Sequence, residues 1–360
     1  MTENDIGRGP RRAAQVIDAL RHGWPIRISG SDGALTLLCA ETGYESGQTT
    51  APRLLLSAAR AVTLKLANQR DAAVPDAPAL IRAAEPFTLP LARGLADPSQ
   101  DLLHPLAGPF RAQPLEANEA AQAAMTLARL AGVLPCFLVD PDPAENVVDC
   151  DVADLAAFQD PHRLTVQARA HLPTAAAEAC EIVAFRAPDD LREHVALIVG
   201  EQRSEATPLV RLHSECLTGD VLTSLKCDCG PQLDAALAAM AEEADKGGYG
   251  VLLYLRQEGR GIGLINKLRA YRLQDQGYDT VDANNRLGLP TEARDFPVAA
   301  RMLSLLGVPA IRLMTNNPEK VAALQAVGVN VIERVPHQLP ANPHNARYLD
   351  TKRDRTGHLL

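Results

Sequence analysis

Cys216, Cys227 and Cys229 fall within 14 consecutive positions of a 360-residue chain that holds seven cysteines. Their spacing is C-x10-C-x-C, inside His213-Ser214-Glu215-Cys216-Leu217-Thr218-Gly219-Asp220 and Cys227-Asp228-Cys229-Gly230. Thiolates are natural zinc ligands, and three protein ligands leave a fourth coordination position for water. Zinc lowers the pKa of such a water towards about 7, which gives a nucleophile at neutral pH. A structural zinc would take a fourth protein ligand, and His213 is the local candidate; the residues alone leave that choice open. Cys39, Cys136, Cys150 and Cys180 are scattered and read as structural.

A second group of residues suits anions. The apolar run Val251–Leu255 leads into Arg256-Gln257-Glu258-Gly259-Arg260-Gly261-Ile262-Gly263, with a helix expected from Leu264. Glycines between a strand and a helix start let backbone N–H groups approach phosphate, and arginines add fork-shaped donors. The string matches neither a P-loop nor a dinucleotide fingerprint, and a plain tight turn has the same glycines. Lys267 and Tyr271 follow one helical turn apart, so they share a face. Thr315-Asn316-Asn317-Pro318 with Lys320 comes after another apolar run and opens a helix, either as a ligand cradle or as a simple cap.

Elements must exist to position these groups. Helical patterns are expected over Ala13–Arg21, Pro52–Leu66 and Asn118–Ala131, the last ended by Gly132. Strand-like runs are Pro25–Ser29, Ala34–Cys39 and Cys136–Val139, while Asp76–Gln113 reads as loops with short elements. After an acidic, turn-rich stretch and a linker expected at Phe158–Thr174, strands alternate with helices. The strands are Glu181–Phe185, Val195–Val199, Leu209–Leu212, Val251–Leu255, Ala310–Met314 and Val329–Arg334. The helices are Gln232–Glu243, Leu264–Gln276, Pro297–Leu306 and Pro318–Ala326. That order predicts an α/β (α+β) protein of two domains, 1–165 and 170–360, each a mixed sheet packed with helices.

Composition bounds the partners. Hydrophobic residues make up 46%, enough for a large core, and the net charge of −8 gives no global basic field for nucleic acid or anionic lipid. The segment Met1–Arg12 is polar, without the apolar run of a secretory signal. No stretch approaches the roughly 18 apolar residues of a membrane span. A cytoplasmic protein without a disulfide framework is therefore expected.

Four strings, Arg211–Gln232, Leu252–Ala283, Thr315–Lys320 and the tail Tyr348–Leu360, resemble GTP cyclohydrolase II, and the resemblance runs from about Thr174 to the C-terminus. It implies that Cys216, Cys227 and Cys229 hold one catalytic Zn²⁺ per subunit. It implies a GTP site formed by Arg211, Leu212, His213, Ser214, Glu215, Gln232, Glu258, Gly259, Arg260, Thr280, Thr315 and Lys320. By the same resemblance Arg294 attacks the α-phosphate and releases pyrophosphate. The zinc-activated water opens the guanine ring at C8, formate leaves, and Tyr271 assists. Mg²⁺ accompanies the triphosphate, and the product is 2,5-diamino-6-ribosylamino-4(3H)-pyrimidinone 5′-phosphate, formed in the first step of riboflavin biosynthesis. A homodimer is implied too. One position departs from the family pattern: Glu292 stands where the family has an Asp as proton acceptor, so its carboxylate sits on one more methylene.

Residues from about Arg12 to Gln159 resemble 3,4-dihydroxy-2-butanone 4-phosphate synthase, through Ala13–Ile28 and Glu119–Gly132. The chemistry of that family is missing. Its acidic Arg-Glu-Asn-Glu-Gly-Asp run is replaced by Ser29-Gly30-Ser31-Asp32-Gly33-Ala34, and its Gly-His-Thr-Glu by Glu116-Ala117-Asn118-Glu119. Mg²⁺ needs an octahedral set of oxygens, which these strings do not supply. A non-catalytic first domain is expected, with retained synthase activity as its alternative; for the chain as a whole the rival reading is a non-catalytic purine-nucleotide sensor or scaffold.

Overall fold

Alternation of apolar side chains along the strands of a sheet buries one set on each face, and both large sheets of this protein show it. The computed structural model describes residues 8–44, 49–101, 108–203, 205–357 and 359. The first seven residues of the Met1–Arg12 stretch lie outside them. The chain divides into two compact units: 1–160 together with 262–293, and 161–261 together with 294–360.

In chain order the first unit has strands β1 (Ile26–Gly30), β2 (Gly33–Cys39), β3 (Thr50–Ala51), β4 (Arg53–Leu56), β5 (Ala79–Arg82), β6 (Phe87–Thr88), β7 (Arg111–Gln113), β8 (Cys136–Val139) and β9 (Val148–Asp151). Seven of them form one sheet in the order β7-β5-β4-β8-β2-β1-β9, antiparallel except for the β1–β9 pair. Strand β8 lies at its centre and is buried along its whole length. Phe137 and Val139 face one core with the helices Gly9–His22, Asn118–Ala131 and Val152–Phe158. Cys136 and Leu138 face the other.

That second core decides where the segment 262–293 belongs. Ile262, Ala270, Leu273, Ala283, Leu287 and Leu289 are buried there with Leu38, Leu54, Leu56 and Leu138. Its helices are Leu264–Asp275 and Thr280–Arg286. Arg269 forms a two-pronged pair with Glu41 (2.8 and 3.1 Å), and Glu41 also accepts the N–H of Leu134 at 2.7 Å. Gly288 turns at φ 73°, and a Cβ there would lie 2.4 Å from the Ser57 hydroxyl oxygen. The limits expected from sequence, 1–165 and 170–360, thus become a division at 160/161 with 262–293 returned to the first unit, because its apolar faces are buried in that unit's core.

The second unit has β10 (Thr165–His171), β11 (Cys180–Arg186), β12 (His194–Val199), β13 (Leu209–Ser214), β14 (Gly250–Leu255), β15 (Ala310–Met314) and β16 (Asn330–Val335). Their order is β10-β11-β12-β14-β13-β15-β16. The β10 to β14 side pairs antiparallel, whereas β14, β13, β15 and β16 are mutually parallel. Ala196 and Ile198 bury on one face, Leu197 and Val199 on the other. The parallel strands are joined by helices, including Cys229–Asp245, Phe296–Leu305 and Pro318–Ala326. The mixed α/β class expected from sequence is the class observed.

Two expected elements differ. The pattern over Pro52–Leu66 is not one helix: Arg53–Leu56 is a strand, and only Ala58–Thr63 is helical, started by the Ser57 hydroxyl accepting from the N–H of Arg60. A run of leucines satisfies either period, and the cap at Ser57 marks where one ends and the other begins. The linker expected at Phe158–Thr174 contains β10, an edge strand whose exposed, polar residues gave it no apolar signal.

Candidate active site

In open α/β sheets, ligands collect beyond the C-terminal ends of the parallel strands. Here β13, β14 and β15 end at Ser214, Leu255 and Met314. The chain continues from those ends into Glu215-Cys216, Arg256–Gly263 and Thr315–Lys320. The three strings singled out by their chemistry therefore leave adjacent strands at the same edge.

After β13 the backbone closes a wide turn, Leu217–Val221, that folds Cys216 back over Gly219. Cys216 and Cys227 sulfurs are 3.8 Å apart, and the three Sγ atoms of Cys216, Cys227 and Cys229 lie within 4.8 Å of one another. All are free thiols. Two thiolates about 2.3 Å from a tetrahedral zinc would be separated by about 3.8 Å, so the donor set fits that ion. Gly219 closes the cradle: a Cβ there would meet Cys229 Cβ at 2.8 Å, Cys227 Sγ at 2.9 Å and Cys216 Sγ at 3.0 Å. The Gly219 N–H donates to the Cys216 sulfur at 3.3 Å. Hydrogen bonding with Cys216 and then burial hold the Cys227 and Cys229 thiols above the usual range. Metal binding to such a cluster must displace protons.

His213 does not join the sulfurs. Its Nε2 lies 3.0 Å from Asp220, which also accepts the Tyr254 hydroxyl (2.8 Å) and the N–H of Cys216 (3.0 Å). Among the described residues the metal-type cluster is the three cysteines alone, so the open choice over a fourth ligand resolves against His213.

Arg211 is buried on β13. It donates to the Met314 carbonyl (3.1 Å) and to the Gln232 side chain, while its Nε has no hydrogen-bond partner among the described residues. Burial pulls this guanidinium down to about 10. Lys320 is buried with Nζ 3.4 Å from the Leu212 carbonyl, and Thr315 accepts the N–H of Asn317 at 3.1 Å. Glu215 pairs with Arg256 at 2.9 Å, leaving Ser214 half-buried at the strand end.

Glu258 joins the cysteine turn to the glycine turn. It accepts the N–H groups of Leu217 (2.7 Å) and Gly259 (2.9 Å). Gly259 and Arg260 then sit at φ 63° and 61°, followed by Gly261 at 93° and Gly263 at 87°. A left-handed arginine is costly and typical of functional turns. Arg294 lies with its guanidinium carbon 5.7 Å from the centre of the Phe296 ring.

Tyr271, Thr280 and Glu292 fall in the first unit. Lys267 Nζ is 5.7 Å from the Tyr271 ring centre, Gln274 donates to the Thr280 hydroxyl at 3.0 Å, and Glu292 is exposed. Charged residues beside the cysteines that the sequence reading did not assign are Asp220, Asp228 and Lys352, the last two paired at 2.7 Å. Asp228 separates two ligands, and Asp220 follows the cradle glycine; a carboxylate so close to thiolates was the available signal.

A model of the family described as GTP cyclohydrolase II matches residues 165–336. A GTP cyclohydrolase-2 of Azospirillum brasilense is 41% identical over 97% of this chain and 94% of its own. The chain belongs to the GTP cyclohydrolase II family. A riboflavin biosynthesis protein RibBA of Bacillus cereus is 45% identical, over 66% of this chain and 64% of its own length. A GTP cyclohydrolase-2 of Escherichia fergusonii is 59% identical over 47% of this chain and 83% of its own. The three cysteines, Arg211, Glu258 and the Thr315–Lys320 loop all lie in the matched GTP cyclohydrolase II segment.

Proposed function

We propose that this chain opens the imidazole ring of GTP, releasing formate and pyrophosphate. The observation that carries the reading is the cysteine cradle around Gly219, at the strand edge that also bears Arg211, Lys320 and the left-handed turn at Gly259-Arg260. Zinc, when bound by Cys216, Cys227 and Cys229, supplies a water acidic enough to serve as nucleophile near neutral pH. Arg211, Arg260 and Lys320 contribute positive charge for the triphosphate, which Mg²⁺ accompanies. Asp220 and Glu258 orient the cysteine turn through its backbone N–H groups. Arg294 as phosphate nucleophile, Tyr271 in the ring chemistry, Thr280 on the nucleotide and Glu292 as proton acceptor rest on the family resemblance. A homodimer in the cytoplasm completes the proposal on the same ground, and light scattering of the purified protein tests the dimer. The deciding experiment follows formate and pyrophosphate separately during GTP turnover by zinc-loaded protein. Equal release supports the reading; GTP binding with neither product overturns it in favour of a nucleotide sensor.

We also infer that the first unit makes no dihydroxybutanone phosphate. Where the synthase family carries metal-binding acids, Asp32 accepts the N–H groups of Asn118 and Glu119 (2.7 and 3.0 Å) and so starts the helix Asn118–Ala131. Glu119 accepts from the Ser31 backbone and hydroxyl, both at 2.8 Å. Asp32 thus serves as a helix cap and Glu119 as a brace for the turn at Ser31, and these strings supply no histidine. Formation of dihydroxybutanone phosphate from ribulose 5-phosphate would overturn this inference.

A further inference from the structure

The family match ends at residue 336, yet the chain beyond it returns to the cysteine loop again and again. His337 Nε2 lies 2.8 Å from the Gln232 carbonyl, and Asn316 binds the backbone of His337 on both sides, at 2.6 and 2.7 Å. Asn342 donates to the Leu225 carbonyl at 3.3 Å, and Asn345 to the Cys227 carbonyl at 3.5 Å. From the helix Ala346–Thr356, Lys352 Nζ reaches Asp228 at 2.7 Å, with the Tyr348 ring centre 4.5 Å away. The N–H of Leu359 then donates to the Asn316 carbonyl at 2.8 Å. The segment thus ties two loops together, the one carrying Cys227 and Cys229 and the one carrying Thr315.

Asp228 is the centre of this arrangement. It is buried between two of the three cysteines. A buried carboxylate needs a cation and hydrogen bonds to stay charged and fixed. Lys352 provides the cation, and the Gln232 amide donates to Asp228 at 2.6 Å. Gln232 in turn accepts from Arg211, so the contacts run Lys352–Asp228–Gln232–Arg211.

We propose that residues 337–357 form a strap which, through Lys352 on Asp228, holds the cysteine loop closed on its metal and Gln232 against Arg211. Lys352 is a positioning residue, since its partner is Asp228 and not the sulfurs. The proposal rests on the cysteine cluster being a zinc site, and it adds a determinant beyond residue 336, where the match to the family model ends. Opening of the loop speeds loss of the metal from a three-thiolate site, and the strap opposes that opening. Partners that orient ligands in this way are worth about 10–100-fold in metal affinity.

The test compares Lys352→Met and Lys352→Arg in the full chain, loaded with zinc and then challenged with a chromophoric chelator. Lys352→Met should release zinc about tenfold faster than the parent and raise the KM for GTP more than it lowers kcat. Lys352→Arg should restore both, because the cation is kept. Release from Lys352→Met within twofold of the parent overturns the proposal, as does equal acceleration in Lys352→Arg. The release assay contains no GTP, so its outcome is independent of whether the parent turns GTP over. Should Lys352→Met not fold, Asn345→Ala probes the strap alone: acceleration of release supports the proposal, and release within twofold of the parent overturns it.

Discussion

The two units bury charge for different ends. In the first, two buried or half-buried arginines meet matched carboxylates. Arg60 is held two-pronged by Asp101 (2.9 and 2.6 Å), which also lies 3.5 Å from Arg286, and Arg269 is held by Glu41. In the second, like groups are crowded together. Three thiols share one glycine, and Arg211 keeps an Nε with no partner among the described residues. Such arrangements cost stability unless a ligand completes them. Chemistry belongs where polar groups are left incomplete: the first unit engages such groups in its own fold, while the second leaves some reserved for a ligand.

Changes at the reserved groups should have the largest effect. Cys227→Ser should remove zinc and lower formate release by at least about a thousandfold, since a nucleophile-generating metal supplies several kcal/mol of barrier lowering. Gly219→Ala should do nearly the same without touching a ligand, because its Cβ enters the cradle. Zinc content by atomic absorption, with formate assays, checks both; a Gly219→Ala protein with full zinc would break the contrast.

In the first unit the same kind of change should show as stability. Glu41→Ala strands the Arg269 guanidinium and the Leu134 N–H, at a cost of about 2–3 kcal/mol. Gly288→Ala should cost a similar amount, about 1–3 kcal/mol, through its left-handed backbone and the clash with Ser57. Denaturant titration of each variant measures this. A fall in zinc affinity without a fall in stability would show that the units are not divided in this way.

Acid should sharpen the comparison in the other direction. Burial pushes His194 and His337 of the second unit down to about 4. Their folded values lie below the unfolded value of about 6.5, so the unfolded chain takes protons first as pH falls. Their contribution is complete above about pH 6.5, declines as pH falls to about 4, and then levels off. His194 accepts the N–H of Arg256 at 3.1 Å, a bond that a protonated ring cannot accept. A His194→Gln protein should lose less stability than the parent between pH 7 and pH 4.5 in denaturant titrations. The smallest effect is expected from Asp32→Ala, which removes a helix cap worth about 1 kcal/mol in the first unit and should leave GTP turnover unchanged.

The cysteines, the arginine–glycine turn and the Thr315–Lys320 loop were legible because chemistry restricts residue type and spacing within a few positions. The parallel strands before them were legible because each is a short apolar run. Partners distant in sequence were not. Nothing near Asp228 announces Lys352, 124 positions later, and nothing in Arg269 names Glu41, 228 positions earlier. The leucines at 54–56 pack equally well in a strand or a helix, so only the tertiary setting settles them. Edge strand β10 escaped for the opposite reason, having too few buried residues to leave a pattern.

The excursion of residues 262–293 into the core of the first unit also has a consequence for synthesis. The first sheet is finished when residue 151 has been made, yet one of its two cores is not completed until residue 293. At translation speeds of about 5–20 residues per second, that wait is on the order of ten seconds. During it the nascent chain lacks Ile262, Ala270, Leu273, Ala283, Leu287 and Leu289, which complete that core. A ribosome stall or premature stop within this window would release a sticky half-product, so this protein should depend on holdase chaperones during translation more than after it.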